Sequence, residues 1–447
     1  MSDSTNSLAG GLGRALSRAG MLHPTALERL SGGANMESWR FSAGGQPLVL
    51  RRAPSAAMMA GRPMDHAGEA SLIRAAKANG VIAPEVVVEL SPGDGIGSGF
   101  VMRALPGTAD PHVVLAGEDP ASLLTDIAQN LAAIHRIPAT EAAAAPVMDT
   151  ATALAGLRER FLGHGADRPV LALALRWLEA NLPPPVPPRL VHGDYRLGNL
   201  LVEHGRLTGV LDWELAHLGD AHEDLAFGCM TVWRFARPDR PAFGLSSLED
   251  WFAAYEAAGG EPVDPARFRY WLVYRTLWWA LGCLDMGRYW RDGHDRSLER
   301  VVVARRTSEQ ELDLLLLLEE EAPEQERGRP LPPQTPSLGP PSGEASAGEI
   351  LTAISEWLTA DIKPLVSGRG KFDLAVARNA LGIVTRELAQ RPQATDHALS
   401  AELLAGKADL AVTGLLARLR RMTLDKLAAD MPKYPGLAIA RARWEGP

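Results

Sequence analysis

Cysteine is nearly absent from this 447-residue chain, which has 2, Cys229 and Cys283, both inside apolar, helix-like runs. That scarcity argues against a disulfide framework or a thiolate metal cluster and fits buried free thiols in a reducing compartment. A basic excess is absent too. With 46 Lys and Arg against 54 Asp and Glu, and a net charge of −8, the chain lacks the electropositive face that a phosphate backbone selects. Nucleic acid is therefore not an expected partner. Long apolar runs are also missing. The run Leu314–Leu318 is closed by Asp313 and by Glu319, Glu320 and Glu321, far too short to span a bilayer, so no membrane is expected. The first twenty residues have no apolar core behind a basic start, so no secretory signal is read and a cytoplasmic location is expected.

What remains is an ordinary globular composition, 46% hydrophobic and 22% charged, in a chain long enough for two or three domains. The stretch that organises it is Leu190–Asp224, LVHGDYRLGNLLVEHGRLTGVLDWELAHLGDAHED. His192, Asp194 and Asn199 form an H-x-D-x-x-x-x-N run, the spacing of a kinase-type catalytic loop. There the Asp accepts the substrate hydroxyl proton and the Asn holds magnesium. The apolar runs 199–202 and 207–211, separated by the polar turn 203–206, predict a β-hairpin that returns Asp212 to the neighbourhood of Asn199. Oxygen ligands beside a catalytic carboxylate suit Mg2+, a hard cation that binds through few protein groups plus phosphates.

HGDYRLGN followed by LDWELAHLGDAHEDLA resembles the aminoglycoside-phosphotransferase-like kinases. The nearer resemblance is to the branch fused to some acyl-CoA dehydrogenases, or acting as 4-hydroxyacyl-CoA kinases in levulinate-type catabolism. It spans roughly residues 20–320. The resemblance implies an α+β, two-lobed protein-kinase-like fold, with a small antiparallel-sheet N-lobe and a mostly helical C-lobe. It also implies ATP with Mg2+ and phosphoryl transfer to a small-molecule hydroxyl. Asp194 is then the catalytic residue, and Asn199 and Asp212 are the metal ligands. His192, Arg196, Glu214 and Asp224 support the site, with Asp224 bracing the catalytic loop. Asp224 also reads as an acid favoured by the dipole at the start of the next helix.

Residues 1–20, rich in Gly and Ser, are expected to be flexible, and the N-lobe to run over 21–105. Strand-like runs at 38–41 and 47–51 flank a turn at Gly44-Gly45, and two more at 86–90 and 99–104 flank SPGDGIGSG. The loop Ser31, Gly32, Gly33, Ala34, Asn35 sits where a kinase's Gly-rich loop covers ATP phosphates, although it lacks the full G-x-G-x-x-G and Gly-Gly is a common turn. The kinase scheme then wants a strand lysine paired with a helix glutamate. This chain offers Arg51 in place of lysine, with Glu69 as the partner; arginine stays charged and can grip phosphate bidentately. The adenine edge is placed, by resemblance only, against the backbone of the strand end containing Met102 and Ala104.

The C-lobe is expected over 106–321, joined through a Pro-rich linker at 322–346 to an all-α region at 347–447. His135, near the end of an Ala-rich helix, reads as a hydrogen-bonded packing residue. Residues 247–306 carry much of the aromatic mass at helical spacing, most of it core. Within it, Arg275, Trp278, Trp279, Arg288 and Trp290 are the candidate acceptor-binding residues, weighed against a solvated basic face and ordinary core. The preferred acceptor is the 4-hydroxyl of an acyl-CoA. An aminoglycoside, macrolide or amino alcohol, and a nucleotide-binding pseudokinase scaffold, are the alternatives. The C-terminal region resembles the small helical subunit encoded beside such kinases. It is expected to dock on the chain's own kinase region or on a second protomer, bringing no catalytic residue.

Overall fold

The computed structural model describes residues 3–30, 36–59, 61–235, 237–333, 347–390 and 392–445. The expected loop Ser31–Asn35 lies outside them. The chain divides into two compact units. One comprises 1–150, 184–229 and 233–268; the other comprises 151–183, 230–232 and 269–447.

The first unit opens with a five-stranded antiparallel sheet, β1 (Thr25–Arg29), β2 (Glu37–Ala43), β3 (Gln46–Ala53), β4 (Val86–Glu89) and β5 (Ser98–Arg103), in the order β1-β2-β3-β5-β4. The turn between β2 and β3 falls at Gly44-Gly45, as the sequence predicts, pairing Ala43 with Gln46. Helix α2 (His66–Ala78) starts on Asp65, whose carboxylate accepts from the Gly68 N–H, an ordinary N-cap.

The expected flexible start is corrected: residues 3–18 form helix α1 (Asp3–Arg18). Leu8, Leu12 and Leu16 recur at i, i+4 and i+8, and all three are buried with Phe41, Leu48, Leu50, Ile96 and Val101 of the sheet. Burying each leucine contributes roughly 1.5–3 kcal/mol, enough to outweigh the helix penalty of the intervening glycines. Gly11 has a contact reason to be glycine, since a Cβ there would stand 2.5 Å from the Asp94 carbonyl oxygen.

Two short ladders complete the unit. Strands β6 (Arg189–Val191) and β9 (His217–Gly219) pair antiparallel, and β7 (Leu200–Glu203) pairs with β8 (Arg206–Val210) as the predicted hairpin. Its turn places His204 and Gly205 at φ +50° and +73°, the left-handed pair that a two-residue hairpin needs. The remaining elements are mainly helices, so the architecture is α+β with a small antiparallel sheet ahead of a mostly helical chain.

The second unit is helical. Its compact grouping cuts across the boundary expected at 321, because helices of the C-terminal all-α region pack on earlier ones. Buried charge joins them. Glu319 accepts from Arg420 at 2.6 Å and from the Trp444 indole at 2.7 Å, and Asp313 accepts from the Tyr434 hydroxyl at 2.5 Å. Arg305 meets Asp430 at 2.7 Å. Ionised and polar groups removed from water must find partners, and here the partners come from across the linker.

Candidate active site

The site is built on backbone turns before side chains. Gly193 has φ +81°, and a Cβ there would lie 2.4 Å from the Leu215 carbonyl oxygen, so the catalytic loop can press against the segment after Asp212 only through a glycine. Asp224 ties that loop down. Its carboxylate accepts the His192 N–H at 2.6 Å and the Gly193 N–H at 2.8 Å, and His135 Nε2 lies 3.3 Å away. Burial works against its ionisation, but the hydrogen bond and charge interaction with His135 and the bond from His192 hold its pKa below the ordinary carboxylate range. His135 Nδ1 in turn is hydrogen-bonded with the Tyr255 hydroxyl at 2.7 Å. His135 is thus a packing residue, as the sequence suggests, but one that packs behind the catalytic loop.

His192 is fully buried. Its Nε2 donates to the Leu211 carbonyl at 3.0 Å, and its Nδ1 accepts the Asp194 N–H at 3.3 Å. The ring therefore ties the residue before Asp212 to the backbone of Asp194. Burial pushes its pKa down, which suits a neutral ring with one donor and one acceptor.

Both Asp194 oxygens are held. Arg196 Nε donates to Oδ1 at 2.8 Å, and Asn199 Nδ2 donates to Oδ2 at 2.7 Å and to the Asp194 carbonyl at 3.0 Å. Arg196 is itself stacked over Trp233, 4.1 Å from the ring centroid. Burial raises the Asp194 pKa, with Arg196 opposing and Asp212 adding to the rise. A carboxylate moved upward while fixed in direction is a better proton acceptor than a free one. Asn199 spends its amide nitrogen on Asp194, and the hairpin bond from the Leu211 N–H to the Asn199 carbonyl, 2.8 Å, sets the register that brings Asp212 back.

Asp212 sits at φ +67°, outside glycine's company in the left-handed region. Its Oδ1 accepts from Arg51 Nη2 at 2.8 Å, and the same nitrogen reaches Glu214 Oε2 at 2.6 Å. Arg51 Nε meets Glu69 at 3.0 Å. One buried guanidinium thus touches three carboxylates, which raises its pKa against the cost of burial. Glu69 is driven the other way from an ordinary ion-pair acid. Burial and the like charges of Asp212 and Glu214 outweigh Arg51 and push it up to about 7. Arg62, which the sequence reading did not single out, also donates to Glu214 Oε2, at 2.9 Å. No local pattern marks it, because the contact closes over 152 residues.

Arg51, Glu69 and Asp212, with Asn199, line a cleft of about 340 Å³. Val49, Phe100, Met102, Leu201 and Leu211 supply apolar walls, and Arg51, Glu69, Asn199 and Asp212 the polar ones. Met102 and Ala104 lie on the lining, as expected of the strand end. The Arg103 and Ala104 N–H groups already bond the carbonyls of Glu85 and Pro47, at 2.9 and 3.1 Å.

The candidate acceptor residues fall in the other unit, and each has a contact there. Arg275 is buried and stacks on Trp278 at 4.9 Å, and the Trp278 and Trp279 rings lie 6.4 Å apart. Arg288 is paired with Asp285 at 2.7 Å, and Trp290 carries Arg296 over its face at 3.6 Å. A helix salt bridge explains Arg288 without an acceptor phosphate.

Residues 26–271 match the model of the phosphotransferase enzyme family. Acyl-CoA dehydrogenase family member 10 of Mus musculus is 27% identical over 272 residues, a match covering 55% of this chain and 25% of the mouse protein. Acyl-CoA dehydrogenase family member 11 of Gallus gallus is 27% identical over 215 residues, covering 45% of this chain and 27% of the chicken protein. The chain thus spans about a quarter of the length of these curated relatives. The crystal structure of a candidate aminoglycoside phosphotransferase from Ralstonia eutropha is similar in fold, with a TM-score of 0.56 at 20% identity, covering 71% of this chain and 98% of that one. The family match takes in more than half of the chain and contains Arg51, Asp194, Asn199 and Asp212 together, so this chain belongs to the phosphotransferase enzyme family.

Proposed function

We propose that the chain transfers the γ-phosphoryl group of ATP to the hydroxyl of a small-molecule CoA thioester, with a 4-hydroxyacyl-CoA as the preferred acceptor. The observation that carries the kinase part is that Asn199 and Asp212 both line a cleft whose apolar walls suit a flat base, with Asp194 hydrogen-bonded to Asn199. The CoA part is supported by the relatives named for acyl-CoA dehydrogenases.

In this reading the acceptor oxygen attacks the γ-phosphorus, the bond to the bridging oxygen of the β-phosphate breaks, and Asp194 takes the hydroxyl proton as ADP leaves. Arg196 and Asn199 hold the Asp194 carboxylate in one orientation while this happens. His192 and Asp224 keep the loop backbone fixed, so little reorganisation is left to the reaction.

The donor set fits magnesium. No cluster of three or more His, Cys, Asp or Glu among the described residues forms a metal site alone, which suits an ion completed by phosphate oxygens and water. Asn199 and Asp212 would hold it, and it would supply charge neutralisation at the phosphates. Met102 and Ala104 border the base; with the Arg103 and Ala104 N–H groups spent, adenine contacts are assigned from Leu105 onward. Ser31–Asn35 is retained as the phosphate-covering loop by its position before β2. Arg275, Trp278, Trp279 and Trp290 remain the acceptor candidates, with Arg288 the weakest because Asp285 holds it.

The test is ATP consumption, with product identification, against hydroxyacyl-CoAs, the free hydroxy acids and aminoglycosides. Phosphorylation of the thioester far above the free acid is expected. Equal kcat/KM for the two discards the CoA reading, and phosphorylation of no hydroxyl compound discards the kinase.

A further inference from the structure

Arg51 stands where the kinase scheme puts its phosphate-binding lysine, but its surroundings do not suit that task. It is 8% exposed and makes ion pairs with Glu69, Asp212 and Glu214, at 3.0, 2.8 and 2.6 Å. A guanidinium already surrounded by three carboxylates has little uncompensated charge to offer a triphosphate. Leaving them would also strand buried acids, which is costly. Arg51 is suited to holding Asp212 and Glu214 in place.

Arg62 differs on each count. It belongs to the segment between β3 and α2, its side chain is 22% exposed, and among the described residues its one carboxylate is Glu214. That carboxylate is shared: Arg51 and Arg62 donate to the same oxygen, Glu214 Oε2, at 2.6 and 2.9 Å. If Arg62 leaves, Glu214 keeps Arg51, so no buried charge is stranded. Its other side-chain bond, Nε to the Met58 carbonyl at 3.2 Å, is within its own loop and would move with it. Arg51 Nη2 bonds both Asp212 and the Glu214 oxygen that Arg62 holds, so the Arg62 guanidinium is one carboxylate away from the expected metal side of the cleft.

We propose that Arg62 is the phosphate-contacting cation of this site, exchanging Glu214 for the terminal phosphate of the nucleotide, while Arg51 is a positioning residue for the metal-side carboxylates. The inference rests on the reading of the cleft as an ATP site. A fork-shaped donor that is charged at every working pH can bind two phosphate oxygens at once, and the loss of such a charged contact weakens binding about tenfold or more. Because the contact is to the terminal phosphate, it should discriminate ATP from ADP.

The experiment measures affinities of the full chain for a non-hydrolysable ATP analogue and for ADP, both with magnesium, together with KM for ATP and kcat. Variants are Arg62→Ala, Arg62→Lys and Arg40→Ala, since Arg40 is a cation on the cleft lining itself. Arg62→Ala is expected to lose about tenfold or more for the triphosphate and under about threefold for ADP, with Arg62→Lys in between. A structural role alone would weaken both nucleotides together and lower the melting temperature. That outcome overturns the proposal, as does an unchanged triphosphate affinity, or a selective triphosphate loss in Arg40→Ala with none in Arg62→Ala. Failure of the underlying ATP reading would look different: the wild-type chain itself would bind neither nucleotide.

Discussion

Two regions of this molecule bury charge, and they do it to opposite ends. Around Arg51 in the first unit, Glu69, Asp212 and Glu214 crowd two arginines, and the cluster opens onto a cleft. Around Glu319 in the second unit, one fully buried acid is met by Arg420, Arg443 and Trp444. Burial raises Glu69 to about 7, and the competing acids Asp212 and Glu214 add to the rise against Arg51. The acid of the second cluster has cations to spare, two arginines as well as an indole meeting one carboxylate. Carboxylates in excess over their cations keep a demand for further positive charge, and that is the condition a magnesium-nucleotide site needs. An acid so answered holds helices in register and asks for nothing more.

Breaking one member of each region separates the two roles. Asp194→Asn should have the largest effect, lowering kcat by roughly 10²–10⁴ with the melting temperature and nucleotide affinity close to wild type. Steady-state kinetics and thermal melts on the same sample check it, and near-normal turnover would remove Asp194 from the chemistry. Arg420→Ala should do the reverse. Glu319 loses its bonds at 3.0 and 2.6 Å, and the unfolding free energy should drop by about 3 kcal/mol. The activity of the fraction that remains folded should hold. Denaturant titration beside a specific-activity measurement decides it, and a loss of activity without a loss of stability would contradict the division.

A smaller effect sharpens the contrast through pH. In the unfolded chain Glu69 would titrate near 4.5, while in the fold it holds its proton up to about 7. The stability this proton contributes is full below about 4.5 and is lost as pH rises through about 7. Glu69→Gln should therefore flatten the fall in unfolding free energy between about pH 5 and pH 8, read from denaturant curves at each pH. Two parallel curves would mean that Glu69 is ionised throughout.

The motif-bearing part of the site was legible because it is local. The H-x-D-x-x-x-x-N run and the hairpin after it fix Asp194, Asn199 and Asp212 within nineteen residues, and apolar runs on either side of a polar turn mark the hairpin's strands. Arg62 and the Tyr255–His135–Asp224 chain were not, since their contacts span 152, 120 and 89 residues and leave no spacing to read. The helix over residues 3–18 was legible in principle from Leu8, Leu12 and Leu16 at fourfold spacing, but its glycines argue the other way on propensity. Tertiary burial decided it. Docking of the C-terminal helices on earlier ones was expected, but the boundary placed at 321 is cut across by their packing. A Pro-rich stretch reads as a boundary, while Glu319 and the arginines that answer it, Arg420 and Arg443, lie on opposite sides of it.

Asp212 holds a left-handed backbone with a charged side chain at φ +67°, a conformation that costs most L-residues about 1–2 kcal/mol, aspartate less, and glycine almost nothing. Fitness for folding and fitness for chemistry therefore pull this position apart. Asp212→Gly should melt at or above the wild-type temperature while losing magnesium-dependent nucleotide binding, a pairing that calorimetry and nucleotide titration would reveal together. A copy of this chain released from the need to transfer phosphate could drift toward glycine at 212 with no penalty in stability. The residue found there would then tell a working descendant from a lapsed one.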